Sequence, residues 1–228
     1  MVKMTRRTAI VGGSTIADSF VPPPTDCRRC KRLYKYLLGF RKTNPDWHNA
    51  PVDAVGSLSS RLLIIGLAPG MRGANATGRP FTGDSAGGYL YHMLARFGFA
   101  HGTYGGHAED GVTLGDVRIT NAVRCVPPQN KPTAEEATNC RPFLQQEIAA
   151  MDRLHTILAL GKLAHDAVLR CFGCRLADYP FAHGSHHLID GKYHLISSYH
   201  CSRYNTQTGR LTDKMFSDIF QKIQDNLE

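Results

Sequence analysis

Residues 61–67 have the sequence RLLIIGL, a run that is apolar on both faces of a strand. Such a run predicts a strand buried on both sides, as in a parallel sheet. Three further runs of strand length are VRITNAV at 117–123, TILAL at 156–160 and YHLIS at 193–197. Because helical patterns separate these runs, we predict an α/β fold: a three-layer α/β/α sandwich with a central, mostly parallel four-stranded sheet.

Helical periodicity marks the segments between the predicted strands. Apolar residues share one helical face over 89–97, and Gly98 follows as a helix stop. Thr133 and Glu136 form the pattern of a capping box, which opens a second helix. Further helices are predicted after the third strand and at 216–227. Ligands bind at the carboxyl ends of parallel strands, so the loops after those ends are the candidates for function.

The bulk properties narrow the class of protein. The chain has 228 residues, a net charge of +8 and a pI of about 9.2, which favours an anionic partner, nucleic acid first. We expect a basic N-terminal arm at 1–26 and a single α/β domain at 27–228. No run is apolar enough for a membrane span or a signal peptide, so we expect a cytoplasmic protein. Seven cysteines then predict metal or redox chemistry rather than disulfides.

A glycine-rich loop follows the first strand, with the sequence GLAPGMRGANATGRPFTGD at 66–84. Its glycines let the backbone approach a ligand and offer N–H groups to it. The spacing matches neither a Walker loop nor a dinucleotide fingerprint. Asp84 precedes the helix at 89–97, an N-cap position that favours the ionised carboxylate. Phe81 is either a stacking platform or a core residue.

The last strand leads into a second polar loop, SSYHCSRYNTQTGRLT at 197–212. Its cationic and aromatic residues suit contact with phosphates and insertion into a nucleic-acid groove. His200 lies at the end of the strand, where it would stand opposite the first loop. That placement makes it a catalytic candidate.

Together the two loops and the segment TNAVRC at 120–125 closely resemble the family 5 uracil-DNA glycosylases. These are broad-specificity bacterial and archaeal enzymes with an iron–sulfur cluster. The resemblance runs from Cys27 to the C-terminal helix. Ala68 stands where family 4 has a glutamate, as is typical of family 5, and Cys201 stands where the wider superfamily usually has proline.

The cysteines allow two metal sites. Cys27 and Cys30 form a C-x₂-C pair, and Cys171 with Cys174 would complete a structural zinc site. Alternatively, Cys125 and Cys140 would complete four thiolates for a [4Fe–4S] cluster. The spacing does not choose between them. The resemblance implies the second set, with a structural rather than an electron-transfer role.

The resemblance also implies a mechanism in which the target base leaves the duplex stack before cleavage. We expect Asp84 to position water or stabilise the sugar cation, and neutral His200 to stabilise the departing base. The predicted substrate-binding residues are Gly66, Ala68, Gly70, Phe81 and Asn121. The predicted DNA contacts are a wedge of Arg203, Tyr204 and Gln207, with Arg72, Arg79 and Arg210 on phosphates. Neither loop carries an evident lysine nucleophile, so we expect a monofunctional glycosylase.

We expect the enzyme to act as a monomer on double-stranded DNA, with single-stranded DNA as a second substrate, and to involve no membrane. Three other functions are compatible with the sequence. A non-catalytic iron–sulfur protein that binds damaged DNA or senses redox state would need neither Asp84 nor His200. A superfamily enzyme of narrow uracil specificity fits Ala68 less well. A hydrolase of small nucleotides would not need the basic second loop.

Overall fold

The computed structural model describes residues 20–228, and these form a sheet covered by helices on both faces. The predicted arm at 1–26 lies largely outside the described residues. The strands in chain order are β1 (Leu62–Gly66), β2 (Ala100–His101), β3 (Thr113–Leu114), β4 (Val117–Asn121), β5 (Thr156–Leu160), β6 (His186–Ile189) and β7 (Tyr193–Ser198). The helices are α1 (Lys31–Thr43), α2 (Ala74–Thr77), α3 (Ser85–Arg96), α4 (Ala134–Ala150), α5 (Lys162–Cys171), α6 (Arg203–Gln207) and α7 (Asp213–Leu227).

The central sheet has five strands in the order β4-β1-β5-β7-β6, and a small separate sheet pairs β2 with β3. The four predicted strands are all present and parallel. The predicted number of strands is wrong, because β6 adds an antiparallel edge next to β7. Only Ile189 of this strand is buried, so β6 lacks the apolar run that marks the others. The signal that identifies it is the Asp190-Gly191 turn, where both residues have positive φ, as tight hairpins require.

Side chains that alternate along β1 build the two halves of the core. Leu62 and Ile64 join the cluster formed with α3 and α7. Leu63 and Ile65 join the cluster on the opposite face, which contains residues of α4 and α5. The sheet is therefore the middle of three layers, as the run at 61–67 predicted.

The helix ends follow the predicted signals. Thr133 and Glu136 form the capping box of α4, with Thr133 N donating to Glu136 at 2.8 Å. Gly98 follows α3 with a φ of 74°, the left-handed conformation of a helix stop. None of the helices in residues 20–228 combines the length and the apolar character needed to cross a membrane.

Candidate active site

A cavity of about 320 Å³ opens at the carboxyl ends of the parallel strands, where the two predicted loops meet. It is lined by residues from the first loop, from the end of β4 and from the segment after β7. The predicted site residues that line it are Ala68, Gly70, Phe81, Asp84, Asn121, His200 and Arg203. The fold thus brings together side chains that are more than a hundred residues apart in the sequence.

Gly66 does not line the cavity itself but lies against two of these side chains, Asn121 and Phe81, which form its floor. A Cβ atom at this position would lie 2.5 Å from Asn121 Oδ1 and 2.5 Å from Phe81 Cζ. Asn121 is the register partner of Gly66 on the neighbouring strand, which fixes its amide at the sheet edge. Phe81 has a φ of 51°, and its ring lies 6.0 Å from the His200 ring at an interplanar angle of 25°. An aromatic face and an amide therefore share one cavity.

Asp84 is the N-cap of α3, as predicted, and one of its oxygens is occupied by that role. Oδ1 accepts a hydrogen bond from Gly87 N at 2.9 Å. Oδ2 faces the first loop, where a Cβ at Gly73 would lie 2.7 Å away and one at Gly70 would lie 3.1 Å away. Because glycine stands at both positions, the backbone passes close to the carboxylate. Asp84 is exposed to solvent, so Oδ2 can contact a water molecule in the cavity.

Tyr104, which sequence reasoning missed, braces the segment that carries Phe81 and Asp84. Its hydroxyl donates to the Phe81 carbonyl at 3.3 Å and accepts from Gly83 N at 3.2 Å. A Cβ at Gly87 would overlap the same carbonyl, so α3 can pack here only through a glycine. The bond to Tyr104 thus supports the left-handed backbone of Phe81.

Arg79 completes this brace, which corrects its predicted role in phosphate binding. Its guanidinium donates to both carboxylate oxygens of Asp110, at 2.8 and 2.6 Å, and its Nε donates to Thr82 Oγ1 at 2.8 Å. The side chain is 9 % exposed and that of Asp110 is 2 % exposed. The hydrogen bonds from Arg79 hold the pKa of Asp110 well below its usual range. Asp110 lies between β2 and β3, 31 residues further along the chain, so no local sequence pattern indicated the pair.

His200 follows β7, and its surroundings favour the neutral imidazole. Burial lowers the pKa of its imidazole, and the opposing effect of the Asp84 charge is smaller. Its carbonyl accepts a hydrogen bond from Asn205 Nδ2 at 2.8 Å, which fixes the turn into α6. The next residue, Cys201, is fully buried in the core against α3, with its Sγ 3.6 Å from the Ala86 carbonyl oxygen. Cys201 therefore anchors the turn that presents His200.

The predicted wedge is a short helix rather than a loop. Ser202 caps α6 by accepting a hydrogen bond from Asn205 N at 3.5 Å. Arg203 and Gln207 are exposed, and Tyr204 is 70 % exposed, which is unusual for an aromatic side chain. Two other predicted phosphate contacts, Arg72 and Arg210, are also exposed. Among the described residues, the three arginines of this set form no ion pair with another side chain.

Three polar residues that line the cavity were missed from sequence: Ser85, Asn130 and Ser202. Asn130 follows Gln129, and both have positive φ, 55° and 57°. Two successive non-glycine residues in this region are uncommon and often occur at functional sites. The sequence signal was the turn-rich segment PPQNKP at 127–132, directly after the strand that carries Asn121.

The cysteines fall into two groups. Cys27, Cys30, Cys125 and Cys140 line one small cavity beside α1 and α4. Cys171 and Cys174 pack in the core cluster of α5, so they do not complete a site with the first pair. Burial raises the pKa of Cys30 to about 11 and also raises the pKa values of Cys125 and Cys140. Cys27 contributes to each of these three shifts, so the four sulfurs lie close enough to influence one another's charge.

The surroundings of this cavity fit an anionic metal cluster. Arg124 lines it and is 1 % exposed, yet its Nε and Nη1 atoms have no hydrogen-bond partner among the described residues. Within residues 20–228, no three histidine, cysteine, aspartate or glutamate side chains are placed to hold a single metal ion. In a multi-iron cluster each thiolate binds a different iron, which suits ligands spread around one cavity.

Comparison with known proteins places the chain in a family. A model of the uracil DNA glycosylase superfamily matches residues 54–224. The type-5 uracil-DNA glycosylase of Thermus thermophilus is 41% identical over 213 residues, which cover 91% of this chain and 96% of that protein. The type-5 enzyme of Pyrobaculum aerophilum is 38% identical over 209 residues, which cover 90% of this chain and 91% of that protein. The type-4 enzyme of Archaeoglobus fulgidus is 30% identical over 187 residues, 80% of each chain.

This chain belongs to the uracil DNA glycosylase superfamily, as its two loops predicted. Its relatives of the type-5 group match nearly the whole chain, whereas the match to the Pyrobaculum aerophilum type-4 enzyme covers 66% of it. The match to the superfamily model includes both loops that form the cavity.

Proposed function

We propose that this protein is a monofunctional DNA glycosylase that hydrolyses the N-glycosidic bond of uracil and related deaminated bases during base excision repair. The observation that carries the proposal is the cavity itself, which is lined by Asp84, Phe81 and His200, with the last two rings 6.0 Å apart. Its volume lies at the low end of the range for ligand sites and suits one nucleotide unit. Membership of the superfamily supports the same reaction.

Base recognition falls to the side chains on the cavity floor. The Asn121 amide offers one donor group and one acceptor, so it can pair with the N–H and the carbonyl of a uracil edge. Phe81 supplies a face for the flipped base to stack on, and backbone N–H groups between Gly66 and Gly70 add further donors. Ala68 brings no polar group to the wall. We therefore expect a range of bases, including hydroxymethyluracil, hypoxanthine and ethenocytosine.

Cleavage of the bond develops positive charge on the sugar and negative charge on the base. The neutral His200 imidazole can donate a hydrogen bond to the base oxygen on which the negative charge develops. The free Oδ2 of Asp84 can hold the attacking water and stabilise the sugar cation. No lysine lines the cavity among residues 20–228, which supports hydrolysis without a covalent intermediate or strand cleavage.

The surface beside the cavity is suited to a bent duplex. In this proposal Tyr204 on α6 fills the gap left by the flipped nucleotide, and Arg203 and Gln207 contact the neighbouring groove. Arg72 and Arg210 hold phosphates. Double-stranded DNA is the main partner, single-stranded DNA a second one, and the enzyme acts as a monomer, with 27–228 as one domain and 1–26 as a basic arm.

A [4Fe–4S] cluster bound by Cys27, Cys30, Cys125 and Cys140 would be the cofactor. It would supply a covalent link between the chain before α1, the segment after β4 and helix α4, and hydrolysis needs no electron from it. The supporting observation is the shared cavity of the four cysteines. The same segment after β4 leads from Asn121 to Cys125, so the link would also hold the base-reading strand end in place.

The test uses a labelled duplex with one uracil opposite guanine, incubated with the protein and then treated with alkali. We expect cleavage at the uracil, and a rate lowered on the order of 10²–10³-fold by Asp84→Asn, with duplex binding kept. Asp218→Asn is the matched control, because this exposed carboxylate on α7 pairs within residues 20–228 only with Lys214. An intact strand despite tight binding of the duplex would instead support a non-catalytic protein that binds damaged DNA.

A further inference from the structure

Arg124, Arg118 and Glu147 form a buried ionic group beside the cysteine cavity. Glu147 is fully buried, and one of its oxygens accepts from Arg118 Nε at 2.7 Å. The other accepts from Arg124 Nη2 and, at 3.1 Å, from the Thr120 hydroxyl. Two guanidinium groups thus share one carboxylate, which leaves one net positive charge inside the protein.

An uncompensated charge in the interior is costly unless an opposite charge lies nearby. The carboxylate cannot balance both arginines, and the Nε and Nη1 atoms of Arg124 find no acceptor within residues 20–228. Arg118 differs, because its Nη1 atom donates to the Gly56 carbonyl. The imbalance is therefore located at Arg124.

Arg124 is joined to the cysteine cavity through helix α4. Cys140 and Glu147 are seven residues apart on this helix, so they lie on the same face, about 10 Å apart. The backbone N–H of Arg124 donates to Cys140 Sγ at 3.3 Å, while its side chain reaches Glu147. Arg124 also lines the cysteine cavity itself, so its guanidinium lies beside the place that the cluster would occupy.

We propose that Arg124 is a positioning residue for the iron–sulfur cluster: its N–H orients the Cys140 ligand and its cation provides the counter-charge for the anionic cluster. This inference rests on the cluster assigned under the proposed function. Four thiolates give such a cluster a net negative charge, and charges and N–H···S bonds around a cluster set its stability and its reduction potential. Arg41 differs from Arg124, because its Nε donates to the Asn49 carbonyl and its Nη2 donates to the Thr25 carbonyl.

The experiment compares variants that change the charge of this group in opposite directions. Arg124→Met removes the cation next to the cavity. Glu147→Gln removes the anion and keeps both arginines. Arg118→Met is the matched control, because it breaks the other arginine's bond to the same buried carboxylate. Arg124→Lys keeps the positive charge but replaces the planar guanidinium group with an ammonium group. For each, iron and sulfide per chain, the rate of iron loss to a chelator and the reduction potential by voltammetry are measured.

We expect Arg124→Met to lose iron at least about tenfold faster than the wild type and to shift the reduction potential to more negative values. Removing a positive charge disfavours adding an electron. Glu147→Gln should shift the potential in the positive direction, so the sign remains a test even if Arg124→Met does not fold. Arg118→Met should give a smaller shift than Arg124→Met, and Arg124→Lys should stay near the wild type.

Equal potentials in all iron-containing variants, or shifts of one sign in Arg124→Met and Glu147→Gln, would overturn this role for Arg124. Equal rates of iron loss in Arg118→Met and Arg124→Met would reduce Arg124 to a support of the fold. A wild-type protein purified without oxygen that contains no iron would overturn the cluster itself, and the glycosylase assay would still decide the enzymatic function separately.

Discussion

Two buried arginine–carboxylate groups flank the sheet, and they differ in how completely the protein satisfies them. In the first, each nitrogen of the Arg79 guanidinium has a partner and one carboxylate balances one cation. In the second, Glu147 is shared by two arginines and two nitrogens of Arg124 have no partner in the described chain. The first group can stabilise a loop by itself. The second has an unbalanced cation, and the proposed cluster would supply the missing anion.

The largest effect is expected from breaking the balanced pair. Asp110→Asn would leave the Arg79 cation buried with a neutral amide, which costs about 3–5 kcal/mol of stability. Urea unfolding of the variant and of Asp218→Asn, whose carboxylate is exposed, measures the difference. Because the pKa of Asp110 is depressed, the wild-type advantage is present above the usual pKa of an aspartate and declines as the pH falls below it. An Asp110→Asn protein as stable as the wild type at pH 7 would show that the pair is dispensable.

A smaller effect is expected at Tyr104, which supports the part of the first loop that carries Phe81 and Asp84. Tyr104→Phe removes the bonds to the Phe81 carbonyl and to Gly83 N, so Phe81 and Asp84 lose part of their support. We expect kcat to fall about tenfold, with KM for the uracil duplex changed far less, since the DNA-binding surface is intact. Tyr193→Phe, at the start of β7 and away from the cavity, is the control. A rise in KM at constant kcat would contradict a role in positioning.

The smallest effect concerns the pH dependence of the activity. Burial favours the neutral form of a titratable side chain both in the cysteine cavity and in the cavity that contains His200. Burial raises the pKa of the Cys140 thiol and lowers the pKa of the His200 imidazole, so both groups favour their neutral forms. If His200 acts as a neutral hydrogen-bond donor, its imidazole stays neutral at pH values below the usual histidine pKa of about 6.5. We expect kcat/KM to change less than about twofold between pH 8 and 6. A fall of activity with a midpoint near 6.5 that His200→Asn abolishes would contradict this.

The sequence predicted those parts of the molecule whose physical cause is local. The run at 61–67 is apolar on both faces because β1 is covered by helices on both sides, and the other three parallel strands show similar runs. Asp84 could be placed at a helix start from its neighbours alone. The edge strand β6 was missed because one of its faces is exposed, so it has no continuous apolar run.

What the sequence did not predict depends on contacts between distant residues. Arg79 looked like a phosphate ligand in a cationic loop, and only the fold shows Asp110 beside it. The helical form of 203–207 depends on a cap from Ser202 in a segment rich in weak helix formers. The choice of cluster ligands rested on the family resemblance, because spacing alone allows two ways to complete the pair Cys27 and Cys30. The tertiary structure distinguishes them, since Cys125 and Cys140 share a cavity with that pair and Cys171 and Cys174 do not.

Gly66 and Ala68 differ in how far substitution at each position could change the cavity. Any side chain at Gly66 would collide with the Asn121 amide and the Phe81 ring, so this position cannot adjust the size of the cavity. Ala68, in contrast, lines the cavity itself. If the proposed function holds, changes in the choice of base, whether by evolution or by design, are expected to arise at the wall around Ala68 rather than at Gly66.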